Sequence, residues 1–161
     1  MNSQEILKYK VNIRKFLKDT ALKLLTDFPL GKIYFLLPDK KSGIFRTEFS
    51  TNKKQIKITK EGNDTLNLKE NKMLCFSHRY SEYNNMSLSE KQVRRNLVRK
   101  LKKNKINIVI PLFLDSKIIG LVLFENKTKK GNYKYFLDFA KKIEFGLGSV
   151  LIYNWAIERM V

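Results

Sequence analysis

Apolar residues recur at three- and four-residue spacing near both ends of the chain, and this spacing predicts a long helix at each end. The first helix is predicted over residues 3–27, within an N-terminal helical segment 1–28. Pro29 and Gly31 end this helix. The second helix is predicted over residues 133–161. Its periodic positions are Phe136, Phe139, Ala140, Ile143, Leu147, Val150, Asn154 and Ile157.

Between these helices the pattern changes to the alternating and continuous apolar runs that are typical of strands. Residues 106–114 are almost wholly apolar, which predicts a strand buried on both faces, and residues 117–125 are its hairpin partner across Asp115 and Ser116. The other predicted strands are 32–38, 43–50 and a weaker hairpin around Ile56, Ile58, Leu66 and Leu68. Residues 32–125 are thus predicted to form a sheet, together with an irregular middle segment that has no clean period.

A helix with a strongly basic surface is predicted over residues 89–104. Ser89 and Gln92 have the spacing of an N-terminal capping box. The apolar residues of this helix form one stripe, which consists of Val93, Leu97 and Leu101. Its candidate anion-binding residues are Arg94, Arg95, Arg99 and Lys102.

The charge of the whole chain gives this basic helix two interpretations. The 161 residues include 33 Lys or Arg and 15 Asp or Glu, a net charge of +18 that attracts polyanions such as nucleic acid or an acidic protein surface. Lys outnumbers Arg 26 to 7 and Asn is frequent at 14, a composition that an AT-rich genome also produces. The helix is therefore either an anion-binding surface or the solvated face of a Lys-rich protein.

Catalytic chemistry has few candidates in this sequence. One Cys and one His cannot build a four-ligand zinc site, and no phosphate-binding Gly-rich loop, serine-nucleophile motif or acid/base pair is present. Cys75 and His78 fit a small apolar residue and a surface imidazole better than a nucleophile and its base. We therefore expect no enzymatic activity and no metal site, and the sequence identifies no cofactor.

No segment predicts export or a membrane span. Residues 1–10 lack the apolar core of a signal peptide. The longest uncharged run, 145–157, has 13 residues, whereas a bilayer span needs about 20. We expect a soluble protein of the cytoplasm, where a lone Cys stays reduced.

Three short stretches in the last third of the chain match a known family pattern. They are residues 110–112 (Ile-Pro-Leu) with 119–123 (Ile-Gly-Leu-Val-Leu), residues 133–138, and Asn154 with Ala156. In this order they resemble the apolar hairpin, the start of the last helix and the small-residue tail of a GAF domain, a sensor module related in fold to PAS domains. The similarity covers about residues 105–158, and the first hundred residues agree in element order.

This resemblance implies an α/β fold of the α+β type. Its antiparallel sheet would have five or six strands, with the N- and C-terminal helices packed on one face. A ligand pocket, where a family member has one, would lie on the other face under the irregular middle segment. Aromatic side chains with a polar tip suit such a pocket, and they suit the edge of a core equally well. The pocket candidates are Phe76, Tyr80, Tyr83 and Cys75.

The C-terminal helix also carries the case for a dimer. Gly146 and Gly148 lie inside it, where each costs about 1 kcal/mol relative to Ala, which indicates close approach of a neighbour. That neighbour is either residues 3–27 or the same helices of a second subunit. GAF domains commonly dimerise through these helices, so the resemblance implies a homodimer. The candidate contact residues are Leu147, Leu151, Trp155 and Ile157.

Three functions stay open for a single domain over residues 1–161. The first is a non-catalytic regulatory or sensory module, dimeric and able to bind a small ligand. The second is a basic nucleic-acid-binding protein that uses helix 89–104. The third is a degenerate GAF-like scaffold that holds partner proteins.

Overall fold

An antiparallel sheet lies between two layers of helices in the computed structural model, which describes residues 2–28, 30–59, 74–75, 88–127 and 133–161. The helices described are α1 (Ser3–Leu7), α2 (Ile13–Asp27), α3 (Leu88–Lys103) and α4 (Tyr133–Arg159). The strands described are β1 (Leu30–Pro38), β2 (Phe45–Ser50), β3 (Lys57–Ile58), β4 (Leu74–Cys75), β5 (Ile108–Leu114) and β6 (Lys117–Asn126). Their order in the sheet is β3-β2-β1-β6-β5-β4, which confirms the predicted antiparallel sheet.

Strand β1 lies near the centre of the sheet, between β2 and β6, and is buried on both faces. Ile33 and Phe35 belong to the core on one face, whereas Tyr34 and Leu36 belong to the core on the other. None of these four side chains is more than 1% exposed. The alternation follows from the two-residue period of a strand, and it requires helices on both sides of the sheet.

Helices α2 and α4 cover one face of the sheet. Leu24 of α2 packs in the same core as Phe136 and Ile143 of α4, against Phe35 and other strand residues. This arrangement confirms that the terminal helices pack together on one face.

Helix α3 covers the opposite face. Leu101 is fully buried in the second core, which also contains Tyr34, Val109 and Leu121. Leu97, one turn earlier, packs against the same core. The bounds of α3 confirm the helix predicted over residues 89–104 to within one residue at each end.

A two-residue turn joins β5 to β6, as predicted. Leu114 pairs with Lys117, and the two residues between them have positive φ angles, 49° at Asp115 and 66° at Ser116. Two consecutive left-handed residues give a turn whose twist matches the right-handed twist of the flanking strands. The turn therefore sets the register of this hairpin, with one shift between Leu112 and Phe113.

The prediction of one continuous helix over residues 3–27 was wrong, because the chain leaves the helix between α1 and α2. Asn12 has extended backbone angles, and its side chain accepts a hydrogen bond from the backbone N–H of Lys15 at 3.0 Å. An Asn side chain used in this way is an N-cap, so α2 begins at Ile13. The apolar spacing continues across the break, which is why periodicity alone gave one helix.

The second predicted hairpin is described only in part. Ile58 belongs to β3, and it pairs with Phe45 of β2. Residues 66–68 lie outside the described residues. Ile56 is buried beside this pair, and its backbone groups bond to the side chain of Thr47.

Candidate functional site

The predicted ligand pocket falls largely outside the described residues. Cys75 ends β4 and pairs through its backbone with Ile108 of β5. Phe76, Tyr80 and Tyr83, like His78, lie outside the described residues. The pocket residues therefore stay a prediction.

The sheet face assigned to that pocket contains a buried phenol that the sequence analysis missed. Tyr34 is fully buried, and its hydroxyl accepts a hydrogen bond of 2.6 Å from the Nδ2 of Asn52. Its sequence context, an apolar strand, indicated a core residue and gave no signal of this bond. Because a buried hydroxyl without a partner is costly, the bond from Asn52 lets a polar group sit in this core.

The outer surface of α3 and the adjoining β2–β3 connection form a basic surface. Eight exposed cations make up this surface, which we call the basic face: Lys53, Lys54, Lys57, Arg99, Lys100, Lys102, Lys103 and Lys105. The ammonium of Lys100 donates a hydrogen bond of 3.0 Å to the backbone carbonyl of Lys57, so the helix and the connection are in direct contact. Of the predicted anion-binding residues, Arg99 and Lys102 lie on this face and Arg95 is exposed on the same helix. The side chain of Arg94 is not among those described.

The predicted dimer residues of α4 do not share one exposed surface. Leu147 is 0% exposed and belongs to the core of its own chain, so its prediction as a contact with a second subunit was wrong. Leu151 packs against the same core and Ile157 is half-buried. Trp155 is 59% exposed, and the guanidinium of Arg159 lies over its ring at 4.4 Å from the centroid.

Two other residues of α4 are strongly exposed and were missed. Phe145 is 79% exposed and Ile152 is 53% exposed. They are seven residues apart, which is two helical turns, and they lie on the side of the helix opposite to the buried Leu147 and Asn154. The signal was in the sequence, because neither residue belongs to the periodic series that faces the core.

An open groove of about 460 Å³ lies beside this exposed stripe, between α4 and the end of the β5–β6 hairpin. Gly148 contributes to it, and a Cβ added at Gly148 would lie 3.4 Å from Leu114. The carboxylate of Glu144 also lines the groove and accepts a hydrogen bond of 2.8 Å from the backbone N–H of Phe113. The groove therefore combines apolar walls with the charged side chains of Asp115, Lys141 and Glu144, and the sheet fixes the position of Glu144.

Gly146 marks the close approach that its position predicted, and the neighbour belongs to the same chain. A Cβ added at Gly146 would lie 2.8 Å from the Cζ of Phe16 in α2. The ring of Phe16 therefore fills the space over this glycine. Of the two neighbours considered, the structure selects the N-terminal helices.

Polar contacts tie the N-terminal helices to both ends of α4. Near its end, the side chain of Asn154 accepts a hydrogen bond of 2.7 Å from the N–H of Val11 and donates one of 2.9 Å to the carbonyl of Val11. Near its start, the hydroxyl of Tyr135 donates a hydrogen bond of 2.7 Å to the carboxylate of Asp27. This bond raises the pKa of Tyr135.

An ion pair lies next to the Asn154 contact. The ammonium of Lys10 donates to the carboxylate of Glu158, and Lys40 is 3.7 Å from the other carboxylate oxygen. The hydrogen bond from Lys10 is the main cause that lowers the pKa of Glu158 below its ordinary value. Together with Asn154, this pair fixes the segment between α1 and α2 on the last turns of α4.

Neither a metal-binding cluster nor a bilayer-spanning helix is seen in the part of the chain that the structure describes. Within it, no group of three or more His, Cys, Asp or Glu side chains is arranged to hold a metal ion. None of the described helices has both the length and the apolar character needed to cross a bilayer.

Comparison with known proteins gives a structural relationship. No model of a known protein family matches the sequence, and no curated protein does. Among solved structures, the GAF domain of a two-component sensor histidine kinase from Bacillus halodurans superposes with a TM-score of 0.59 at 16% identity, covering 88% of this chain and 97% of that domain. A domain from Sinorhizobium meliloti 1021, assigned to a two-component sensor histidine kinase, gives a TM-score of 0.52 at 13% identity, with 84% and 91% covered. The chain therefore has a GAF-like fold, as its last third indicated.

Proposed function

We propose that this protein is a non-catalytic sensory or regulatory module that acts as a homodimer and responds to a small ligand. The observation that carries the proposal is the extent of the structural match, which includes nearly the whole of a sensor-kinase GAF domain. At 88% of this chain, the match extends over most of its length. Fold alone does not fix function, and the proposal therefore depends on two properties that can be measured.

The first property is dimerisation through the outer side of α4. Phe145 and Ile152 expose large apolar side chains next to the groove at the hairpin end. Burying such residues against a second copy is favourable, by about 1.5–3 kcal/mol for each side chain that becomes fully buried. In a two-fold arrangement, the Phe145 ring of each subunit would enter the groove of the other, and Gly148 leaves space for it.

The second property is coupling between the two faces of the sheet. The strands β1, β5 and β6 contribute alternate side chains to the core under α3 and to the core under α2 and α4. A ligand bound on the α3 face would press on the same strands that carry the terminal helices. The ligand would act by binding more tightly to the conformation of the protein in which those helices have one position than to the conformation in which they have another.

Dimerisation is tested with charge substitutions on the exposed stripe. We expect Phe145→Glu with Ile152→Glu to convert the dimer to a monomer in analytical ultracentrifugation, because each substitution places a carboxylate in an apolar contact. Leu22→Glu is the matched control, since Leu22 is 51% exposed on α2 and belongs to neither the stripe nor the groove. A wild-type monomer at high micromolar concentration would contradict the dimer, and so would equal effects of Leu22→Glu and the double variant.

Ligand binding is tested by native mass spectrometry of protein purified from its own host. We expect a small adduct on each subunit that is lost on denaturation. A dimer without an adduct would contradict the sensory function and favour a scaffold that holds partner proteins.

A further inference from the structure

We infer that the basic face binds the phosphate backbone of duplex nucleic acid without reading its sequence. This inference is independent of the proposed dimerisation, because the basic face lies on α3 and the β2–β3 connection rather than on α4. It could therefore hold whether or not the protein is a dimer.

The packing of α3 determines which of its side chains point outwards. Leu101 is fully buried in the second core, and Leu97 and Val98 pack against the same core. At about 100° per residue, Arg99 and Lys103 lie on the opposite side of the helix from Leu101. The packing of the helix therefore directs these charged side chains outwards. A rotation of α3 about its axis that turned them inwards would expose the apolar residues that face the core.

The positive charge is continuous across two chain segments. No Asp or Glu occurs between residues 49 and 59, or between residues 91 and 114. The contact of Lys100 with the carbonyl of Lys57 brings the two segments together. Like charges held this close repel one another, and a bound anion removes that repulsion.

The ion pairs of the described residues lie elsewhere. They join Glu158 to Lys10 and Lys40, and Asp39 to Arg46. Among the described side chains, no carboxylate is paired with a cation of the basic face in these contacts.

The chemistry of the face favours duplex nucleic acid over other polyanions. The described part of α3 uses its apolar side chains in the core, so it has none to insert into a lipid bilayer. Among its described residues the face has no aromatic side chain on which unpaired bases would stack, which disfavours single strands. Seven of its eight cations are Lys, a compact charge that contacts phosphate but lacks the planar fork that reads guanine.

The length of the face also suits a duplex. The helical part of the face, from residue 99 to residue 103, spans about 6 Å at a rise of about 1.5 Å per residue. Duplex DNA carries one phosphate charge per about 1.7 Å of its axis, so several phosphates face such a span. An acidic protein would need a matching run of carboxylates, whereas any duplex offers this spacing.

The test is fluorescence anisotropy with a labelled 20-base-pair duplex of arbitrary sequence between 50 and 200 mM NaCl. We expect binding that weakens steeply with salt and is the same for an unrelated duplex. The variant Arg99→Gln, Lys102→Gln, Lys103→Gln should bind at least about tenfold more weakly, and its plot of log affinity against log salt should be flatter by about 0.9 for each lost phosphate contact. Circular dichroism would verify that the variant is folded.

The control removes the same charge from another surface. Lys15→Gln, Lys18→Gln, Lys23→Gln on α2 also lowers the net charge of +18 by three, and these side chains are exposed. We expect this variant to bind like the wild type. Equal losses in the two variants would overturn the inference, because binding would then follow net charge alone. Absence of binding at 50 mM NaCl would overturn it as well, as would stronger binding to phosphatidylserine vesicles than to the duplex.

Discussion

At the scale of single residues, Asn154 has the most clearly defined role. It is 5% exposed, and both ends of its amide bond to the backbone of Val11. The break between α1 and α2 leaves those backbone groups without helical partners, and the amide supplies one acceptor and one donor to match. The sequence placed Asn154 on the core side of the helix, but it gave no indication that the amide would bond to residue 11, because contacts 143 residues apart are not visible in local spacing.

We predict that Asn154→Ala lowers the free energy of unfolding by about 1–3 kcal/mol, because it leaves a part-buried N–H and carbonyl without partners. Urea denaturation followed by circular dichroism measures the change. Asn96→Ala, at an exposed position of α3, is the control and should change the free energy by less than about 0.5 kcal/mol. Equal effects of the two substitutions would contradict the role of Asn154.

A second residue-scale prediction concerns Glu158. The bond from Lys10 lowers its pKa, so the folded state favours the carboxylate, and the resulting stabilisation is present at neutral pH. That stabilisation is lost as the pH falls through the lowered pKa. We therefore expect the stability difference between the wild type and Glu158→Gln to be positive at pH 7 and to shrink in acid, as measured by urea denaturation across the pH range. In a Lys10→Gln background the pH dependence of this difference should be much weaker, and an unchanged dependence would contradict the assignment to Lys10.

At the scale of elements, α4 shows what periodicity can and cannot predict. The series from Phe136 to Leu147 correctly identified the side that faces the core. The dimer prediction failed at Leu147 because it took hydrophobicity alone as a sign of an interface, whereas the exposed stripe consists of residues that break the series. The β5–β6 hairpin was predictable because its apolar run and its two-residue turn are local features, whereas the break after α1 was concealed by apolar spacing that continues through it.

The two glycines of α4 give an element-scale prediction with an internal control. Gly148→Ala should raise the free energy of unfolding by up to about 1 kcal/mol, because Ala is the better helix former and its Cβ would meet Leu114 at an ordinary contact distance of 3.4 Å. Gly146→Ala should give less or none of this gain, because its Cβ would approach the ring of Phe16 to 2.8 Å. Thermal and urea denaturation of both variants measure the difference.

A double-mutant cycle measures the interaction between the side chain of Phe16 and a Cβ at residue 146. In a Phe16→Leu background the obstruction is smaller, so Gly146→Ala should recover most of its helix gain. An identical effect of Gly146→Ala in both backgrounds would show that Phe16 is not the obstacle.

At the scale of the whole molecule, the local pattern of apolar and polar residues predicted more of the fold than of the basic face or the pocket. Helices on both faces of an antiparallel sheet follow from the alternating burial of strands such as β1 and from the amphipathic stripes of the helices. The basic face could be foreseen only in its helical half, because its other half, Lys53 to Lys57, lies more than forty residues away and is joined to it by the Lys100 contact. The pocket depended mainly on Phe76, Tyr80 and Tyr83, which lie outside the described residues.

The net charge of +18 leads to a whole-molecule prediction. Repulsion among so many cations opposes the compact state, and salt screens it over distances of about 10 Å at 0.1 M. We expect the Tm to rise by ~2–4 °C between 20 and 500 mM NaCl, the shift that ~1 kcal/mol gives in a domain of this size. The variant Lys15→Gln, Lys18→Gln, Lys23→Gln should show a smaller rise, and a Tm that falls with salt would contradict the prediction.

The contact between Asn154 and Val11 has a consequence for the order of assembly. It closes a loop that contains almost the whole chain, and neither partner is positioned until α4 lies on the completed sheet. Closing so long a loop costs more conformational entropy than closing a local one, so contacts of this kind form after the local hairpins. The segment at residue 11 should therefore be among the last to become ordered during folding and among the first to open under mild destabilisation, which would release the N-terminal helices from the end of α4 while the sheet is still intact.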